Sequence, residues 1–276
     1  MDFLAPLYDL ASFAYEPMFM RRSALALALL SLSASSAGVM VVNRRLAFFP
    51  DAVGHSIFVG VAAALMLSLN VQATVLTISV LIGLSITFLA RRSHLASDTV
   101  IGLVFSGTVA AGLALVSRQP QATAGLSRFF LGDVLTIDDG QIVALAFLAA
   151  ISFAYLGLAT NKLTLSCIVP KSKRHDAGDY IFGAYLAIVV ALCVQAVGVL
   201  LVTALLVAPA ATGRVLSVSL AGMFWTALLA GALAGQIGLW ASFQPAINTT
   251  AGATVVLVNV LFFCAAALYR KICPAR

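Results

Sequence analysis

The residues best able to do chemistry lie in the stretch FFPDAVGHSIFVG, where Asp51 and His55 stand four positions apart. Pro50 favours a helix start there, because its ring presets φ and its missing N–H costs nothing in a first turn. Helical spacing then puts both side chains on one face. A carboxylate oxygen and an imidazole nitrogen together suit first-row divalent ions such as Zn²⁺, Mn²⁺ or Fe²⁺. Two ligands make half a site, which suits an ion that must leave as well as bind, and a second copy of the chain could supply the other half. A plainer arrangement has Asp51 capping a helix at a membrane interface and His55 as a hydrogen-bonded buried histidine. Residue types alone leave both open.

The other polar clusters offer less. In RRSHLASDTVIG, Asp98 stands at the start of an apolar run, where a short acceptor caps the first unpaired backbone N–H groups, and His94 lies in a basic loop suited to solvent. In VPKSKRHDAGDY, His175, Asp176 and Asp179 could be drawn as a metal site. Lys171, Lys173 and Arg174 would repel a cation there, so a hydrated loop is the better reading. Cys167, Cys193, Cys264 and Cys273 show no CxxC pairing and read as packing residues, not as a disulfide framework or a zinc knuckle. No GxxxxGK[ST] phosphate loop, GxSxG, HExxH or kinase-like set occurs, so neither P-loop ATP binding nor hydrolase chemistry is expected of this chain. Its 10 acidic residues, with Glu16 the single glutamate, are too few for a nucleotide-hydrolysing enzyme. No covalently bound cofactor is implied.

The elements that must position Asp51 and His55 are membrane helices. Of 276 residues, 62% are hydrophobic and 9% charged, against roughly 45–50% and 25% in soluble domains. A water-soluble globule is excluded. The net charge of +6 comes in small clusters between long uncharged runs, which marks the flanks of lipid-embedded helices and not a nucleic-acid surface. A crossing takes about 20 apolar residues, and the uncharged runs predict an all-α, polytopic helical bundle. Seven spans fall near 23–42, 51–69, 74–90, 99–116, 140–159, 221–240 and 251–269.

Segment 180–216 would be about 55 Å long as one helix, so it is either one tilted span or two short ones broken near Gly198. Lys and Arg accumulate in cytoplasmic loops. Eight spans divide the 16 basic residues evenly, whereas nine spans with an outside N-terminus place 12 inside and 4 outside. Nine are therefore expected, with Arg21 and Arg22 the main residues on the wrong side. The corresponding division is an extracytoplasmic segment 1–22, a membrane domain 23–270 and a cytoplasmic tail 271–276. The N-terminal segment is acidic, with no removable signal peptide apparent. Asp2, Asp9 and Glu16, seven apart, fit either one face of a short interfacial helix or a polar tail. Small residues recur at helix-contact spacing in Ala34/Gly38, Gly102/Ser106/Ala110 and Ala227/Gly231/Gly235, as tightly packed membrane helices require.

The stretch RRLAFFPDAVGHSIFVGVAAAL resembles the membrane subunits of bacterial ABC importers for zinc, manganese and iron(II), with Arg44, Arg45, Phe48, Asp51, His55 and Gly60 in register. Asp98, Ile101, Gly102 and Gly112 match a second family element, and Phe130, Leu131, Gly132, Asp133 and Leu135 a third. VGVLLVTALLVAPAATGRVLS matches most strongly, through Gly198, Leu205, Leu206, Pro209, Ala210, Ala211, Thr212 and Arg214. The matches run in order over about residues 20–270.

The resemblance implies a fold like that of the vitamin B12 and siderophore permeases, that is, a type II ABC importer fold. It also implies a multi-pass location in the bacterial cytoplasmic (inner) membrane, a homodimer, a cytoplasmic ABC ATPase partner that binds ATP, and an extracytoplasmic metal-binding protein. Asp51 and His55 would contact the metal, zinc first and manganese second by a small margin. The basic loop 162–179, with Lys171, Lys173 and Arg174, would face the ATPase, and Pro209, Thr212 and Arg214 would shape a turn at the inner mouth. Two departures stand out. Where the family carries an acidic coupling element, this chain reads CIVPKSK over Cys167 to Lys173, with Pro170 disrupting a helix interior. Gly213 replaces the family's usual Ala on what would be a tight turn. A gradient-driven secondary carrier is the alternative, weakened because Asp51 is the one clear membrane-embedded acid. A membrane-embedded enzyme lacks a nucleophile or acid–base set.

Overall fold

The computed structural model describes residues 18–93, 95–117, 134–168, 177–245 and 249–273. They form α1 (Met18–Asn43), α2 (Phe49–His55), α3 (Ile57–Met66), α4 (Val71–Arg92), α5 (Ser97–Val116), a short 3-10 turn (Val134–Thr136), α6 (Asp139–Ile168), α7 (Ala177–Val197), α8 (Val199–Leu216), α9 (Leu220–Ser242) and α10 (Ala251–Ile272). With α2 and α3 counted as one span, nine segments among the described residues are long and apolar enough to cross a membrane. The long 180–216 segment is two spans. Gly198 divides them with φ 86°, a left-handed conformation that glycine adopts without a Cβ penalty.

The chain divides into two compact units, Met1–Val39 with Asp133–Ala154 and Ala204–Arg276, and Met40–Gly132 with Tyr155–Thr203. In the first unit, α1 meets its neighbours through small residues. A Cβ on Gly38 would run into the Leu206 carbonyl of α8, and one on Gly231 of α9 would strike the Ser35 hydroxyl. Gly235 faces Ser31, and Gly238 lies against the Val255 backbone of α10. Without a hydrophobic gain between helices in lipid, such close backbone approach is what dispersion and hydrogen bonding need. Two of the three small-residue groups are thus helix contacts. The third is not, since Gly102, Ser106 and Ala110 are exposed and Gly102 has nothing near its missing Cβ.

The outer face of α9 shows Trp225, Leu229, Leu233, Ile237 and Trp240. Its two tryptophans lie about 22 Å apart along the axis at 1.5 Å per residue, the arrangement of a lipid-facing stripe with aromatic ends. Cys193 is buried in α7, whereas Cys264 and Cys273 are exposed and do not pack inside the chain. Arg22, expected on the disfavoured side, is paired with Asp139 at 3.0 Å. That acid tempers its charge and ties the start of α1 to the start of α6.

In the second unit, α4 and α7 approach through Gly83 and Gly183. A Cβ on Gly83 would lie 2.7 Å from the Ala187 Cβ, and one on Gly183 would meet the Thr87 hydroxyl. The ends of these helices are fastened by charge. Asp179, in the first turn of α7, accepts from Arg44 at 2.9 Å and from Arg91 at 2.6 Å. Arg44 also donates to the Leu163 carbonyl at 3.4 Å and lies over the Phe182 ring, 4.7 Å from its centroid. The expected hydrated-loop role of Asp179 is therefore corrected, because a carboxylate at a helix N-terminus between two guanidiniums is held by both the helix dipole and the ion pairs.

Candidate functional site

Asp51 and His55 lie on α2, in the second unit. Pro50 occupies the first helical turn, and Phe48 is the N-cap with no side-chain cap bond. Asp51 therefore sits inside the first turn and does not cap the helix. Phe49, Ala52, Val53 and Gly54 are buried, which turns that part of α2 into the protein and leaves Asp51 and His55 half-buried. Gly54 makes this seating possible, since a Cβ there would already be 3.0 Å from Val199.

His55 Nδ1 is 2.8 Å from the Asp51 backbone carbonyl. A carbonyl only accepts, so Nδ1 is the donor, and when the ring is neutral its lone pair is on Nε2. Histidines that ligate metals are commonly oriented in this way, with the second ring nitrogen donating to a carbonyl or carboxylate. The imidazole also meets Phe105 of α5 edge-on, with centroids 5.0 Å apart at 86°, and Phe58 of α3 at 6.2 Å. Just beyond His55 the helix is interrupted at Ser56, whose hydroxyl bonds the Val53 carbonyl at 2.5 Å and reaches the Ser79 hydroxyl at 3.0 Å. The interruption is thus held by a hydrogen-bonded serine pair between α2 and α4.

Asp51's carboxylate has no ion-pair partner among the described residues. No group of three or more His, Cys, Asp or Glu among them could hold a metal. The donor set is one carboxylate and one imidazole per chain, right in type for a first-row divalent ion and short of the four ligands that zinc takes.

The remaining expected residues fall elsewhere. Asp98 is not the cap of α5, which is Ala96 without a side-chain bond. It lies one residue inside the helix, exposed in the first turn, where its charge still complements the dipole. Pro209, Thr212 and Arg214 belong to the first unit and lie within α8, which runs on to Leu216. The expected turn at PAATGR is therefore corrected to a helix with an internal proline, and the chain reverses only at 217–219.

The physical reason is visible in the bonding. Pro209 has no N–H for the Leu205 carbonyl four residues back, and the Ser35 hydroxyl of α1 supplies the missing donor at 3.3 Å. Thr212 is buried, its hydroxyl bonded to the Ala208 carbonyl at 2.9 Å. Arg214 is exposed. Gly213 marks a close approach and not a turn, since a Cβ would be 2.6 Å from the Met223 carbonyl of α9. Lys171, Lys173, Arg174 and Pro170 lie outside the described residues, as do His94, His175, Asp176, Phe130 to Asp133 and the N-terminal acids. The sequence marks neither Phe105 nor the joining of Arg44, Asp179 and Arg91 as part of a site. Phe105 lies within the second family-like stretch, and Asp179 just before an apolar run, which are the local signals they carry.

The model of the ABC 3 transport family matches residues 16–270. A manganese transport system membrane protein, MntC of Listeria monocytogenes, is 30% identical over 237 residues, covering 84% of each chain. A protein of Haemophilus influenzae named "Probable iron transport system membrane protein" is 27% identical, covering 93% of this chain and 97% of its own. The zinc uptake membrane protein ZnuB of the same organism is 25% identical, covering 85% and 91%. Among solved structures, PsaBC from Streptococcus pneumoniae in complex with Fab superposes with a TM-score of 0.75 at 22% identity over 97% of this chain and 99% of that one. At that identity the likeness concerns the fold.

Proposed function

The chain belongs to the ABC 3 transport family, and from that premise we propose that it lines the path of an importer for a first-row divalent metal ion, which Asp51 and His55 hold in passing. It is a multi-pass protein of the bacterial cytoplasmic membrane and the permease subunit of a metal-ion ABC transporter. ATP hydrolysis belongs to a cytoplasmic ABC ATPase partner, and an extracytoplasmic metal-binding protein delivers the ion. Two copies of the chain bring two carboxylates and two imidazoles together, the four nitrogen and oxygen ligands that suit zinc. Neither copy holds the ion alone, so separating the two pairs releases it. Movement of the ATPase partners provides that separation.

The observation carrying this reading is the half-site itself. The 2.8 Å bond from Nδ1 to the Asp51 carbonyl leaves Nε2 of His55 as the ring nitrogen for a metal, and it shares one face of α2 with a carboxylate that has no ion-pair partner among the described residues. Zinc is the first candidate on ligand chemistry, because nitrogen and oxygen sites hold it more tightly than manganese or iron(II). Manganese is the next, and the relatives named for manganese, iron and zinc keep all three in the comparison.

The test is uptake of Zn²⁺, Mn²⁺ and Fe²⁺, singly and in competition, into proteoliposomes holding the permease with its ATPase and supplied with the metal-binding protein. The intact protein is compared with Asp51→Ala and His55→Ala. ATP-dependent uptake that both substitutions abolish is expected. Uptake persisting without ATP would replace the ABC reading with a gradient-driven carrier, and full uptake in both variants would remove the metal from this site.

A further inference from the structure

We infer that Phe105 is a positioning residue for His55, fixing the plane in which the imidazole offers Nε2 to the metal. The inference rests on the proposed site at Asp51 and His55. A hydrogen bond at Nδ1 does not by itself stop an imidazole from rocking about it, and Nε2 sweeps an arc as the ring rocks. Here the ring is stopped on a second side, because the Phe105 ring stands almost perpendicular to it, centroids 5.0 Å apart at 86°. That edge-to-face arrangement is the one aromatic quadrupoles favour. The Asp51 carbonyl fixes which nitrogen points away, and Phe105 fixes where it points.

The backbone around this contact holds Phe105 in place. Gly112 is seven residues along α5, on the same helical face. A Cβ at Gly112 would lie 2.5 Å from the Phe58 Cβ and 3.2 Å from the Val59 backbone nitrogen, so α5 is pressed onto α3 with no room to slide. Ile101, one turn before Phe105 on that face, is fully buried. Phe105 is thus bracketed by two close-packed positions on its own helix. On the other side, Phe58 adds a second ring 6.2 Å from His55. The bonding at Ser56 holds α2 and α3 in register with α4. A ring edge at this place is therefore part of a rigid frame, and an aliphatic side chain of similar bulk fills the space without supplying the directional contact.

The experiment uses the permease assembled with its ATPase partner, with Co²⁺ as a spectroscopic probe and Zn²⁺ uptake as the functional readout. Phe105→Leu is expected to raise the KM for Zn²⁺ about tenfold, in the range found when the groups that orient metal ligands are removed. Its maximal rate should change little, and the visible absorption of bound Co²⁺ should be altered. Phe105→Tyr keeps the ring and should restore both. Ile101→Ala, a packing change one turn away, should lower thermal stability while leaving the Co²⁺ spectrum as it is.

In the His55→Ala background, Phe105→Leu should have no further effect on metal affinity. A Phe105→Leu protein with unaltered KM and spectrum overturns the inference, and so does an equal loss in both backgrounds. If His55→Ala itself leaves Co²⁺ binding unchanged, the proposed site fails and this inference with it, whereas a His55→Ala loss beside a silent Phe105→Leu removes only the inference.

Discussion

Two aspartates in the same unit are treated in opposite ways. Asp179 receives two guanidiniums, at 2.9 and 2.6 Å, while Asp51, on a span of its own, has an imidazole on its helix and no ion-pair partner among the described residues. The first carboxylate is spent on architecture. It joins the end of α1, the end of α4 and the start of α7, with Arg44 reaching on to the α6 backbone. The second makes no ion pair among the described residues, in surroundings where an unpaired charge is costly. A carboxylate that already has a guanidinium cannot compete for a passing cation. A carboxylate that must bind and release one has to be left without a permanent partner.

Exchanging the two roles tests that contrast, and the largest effect is expected on transport. Asp51→Ala should reduce metal uptake by more than about 100-fold, since losing merely the groups that orient ligands costs about 10–100-fold. Its unfolding midpoint in detergent should stay near that of the intact protein, because no ion pair is lost. Asp179→Ala should behave the other way round. Removing the shared carboxylate of a largely buried ion cluster takes an ion pair from each of the two guanidiniums, for which about 2–3 kcal/mol of stability is expected because the side chains keep some solvent contact. Uptake per folded molecule should fall much less than in Asp51→Ala. A stable Asp179→Ala protein with abolished transport would reverse the assignment of the two aspartates.

How much of this was legible in the sequence depended on whether a feature was local. The nine spans were, because about 20 apolar residues and the sidedness of Lys and Arg are properties of segments. The break at Gly198 followed from the same length argument and a single glycine. Asp51 and His55 were legible as a pair because they are one helical turn apart.

The Asp179 cluster was not, since Arg91 and Arg44 are 88 and 135 positions away and nothing in the local pattern chooses them over solvent. The helical state of PAATGR was hidden for the same reason. Local propensity places a turn near Pro209, and the donor that permits the helix comes from Ser35, 170 positions before the Leu205 carbonyl it serves. Asp98 shows the smaller failure typical of helix ends, where a boundary displaced by one or two residues changes a cap into a first-turn charge.

A substitution of intermediate effect addresses the departure at Gly213. The family's usual Ala at this position suggests a harmless change, but the geometry of this chain says otherwise. The added Cβ would sit 2.6 Å from the Met223 carbonyl and 3.0 Å from the Thr226 hydroxyl, so α9 must shift outward. Gly213→Ala should cost about 1–2 kcal/mol, as overpacking does, read as a lowered unfolding midpoint. Gly102→Ala, where nothing stands within 4 Å, should be silent or slightly stabilising through helix propensity. Equal effects at the two glycines would show that the close approach of α8 and α9 is not limiting.

The smallest expected effect separates a compensated proline from an ordinary hydrogen bond. Ser35 is fully buried, and its hydroxyl serves the Leu205 carbonyl that Pro209 cannot reach. Ser35→Ala should therefore cost about 0.6–1 kcal/mol, the scale of a side-chain hydrogen bond between membrane helices. Pro209→Ala restores a backbone N–H to α8, and that N–H can take over the Leu205 carbonyl. In the Pro209→Ala background the serine becomes redundant, so Ser35→Ala should then cost almost nothing, and the difference between the two backgrounds measures the compensation directly. If Ser35→Ala costs the same with and without the proline, Ser35 contributes only packing, and the helical path of α8 through Pro209 must be held by the close contacts of Gly38 and Gly231 alone.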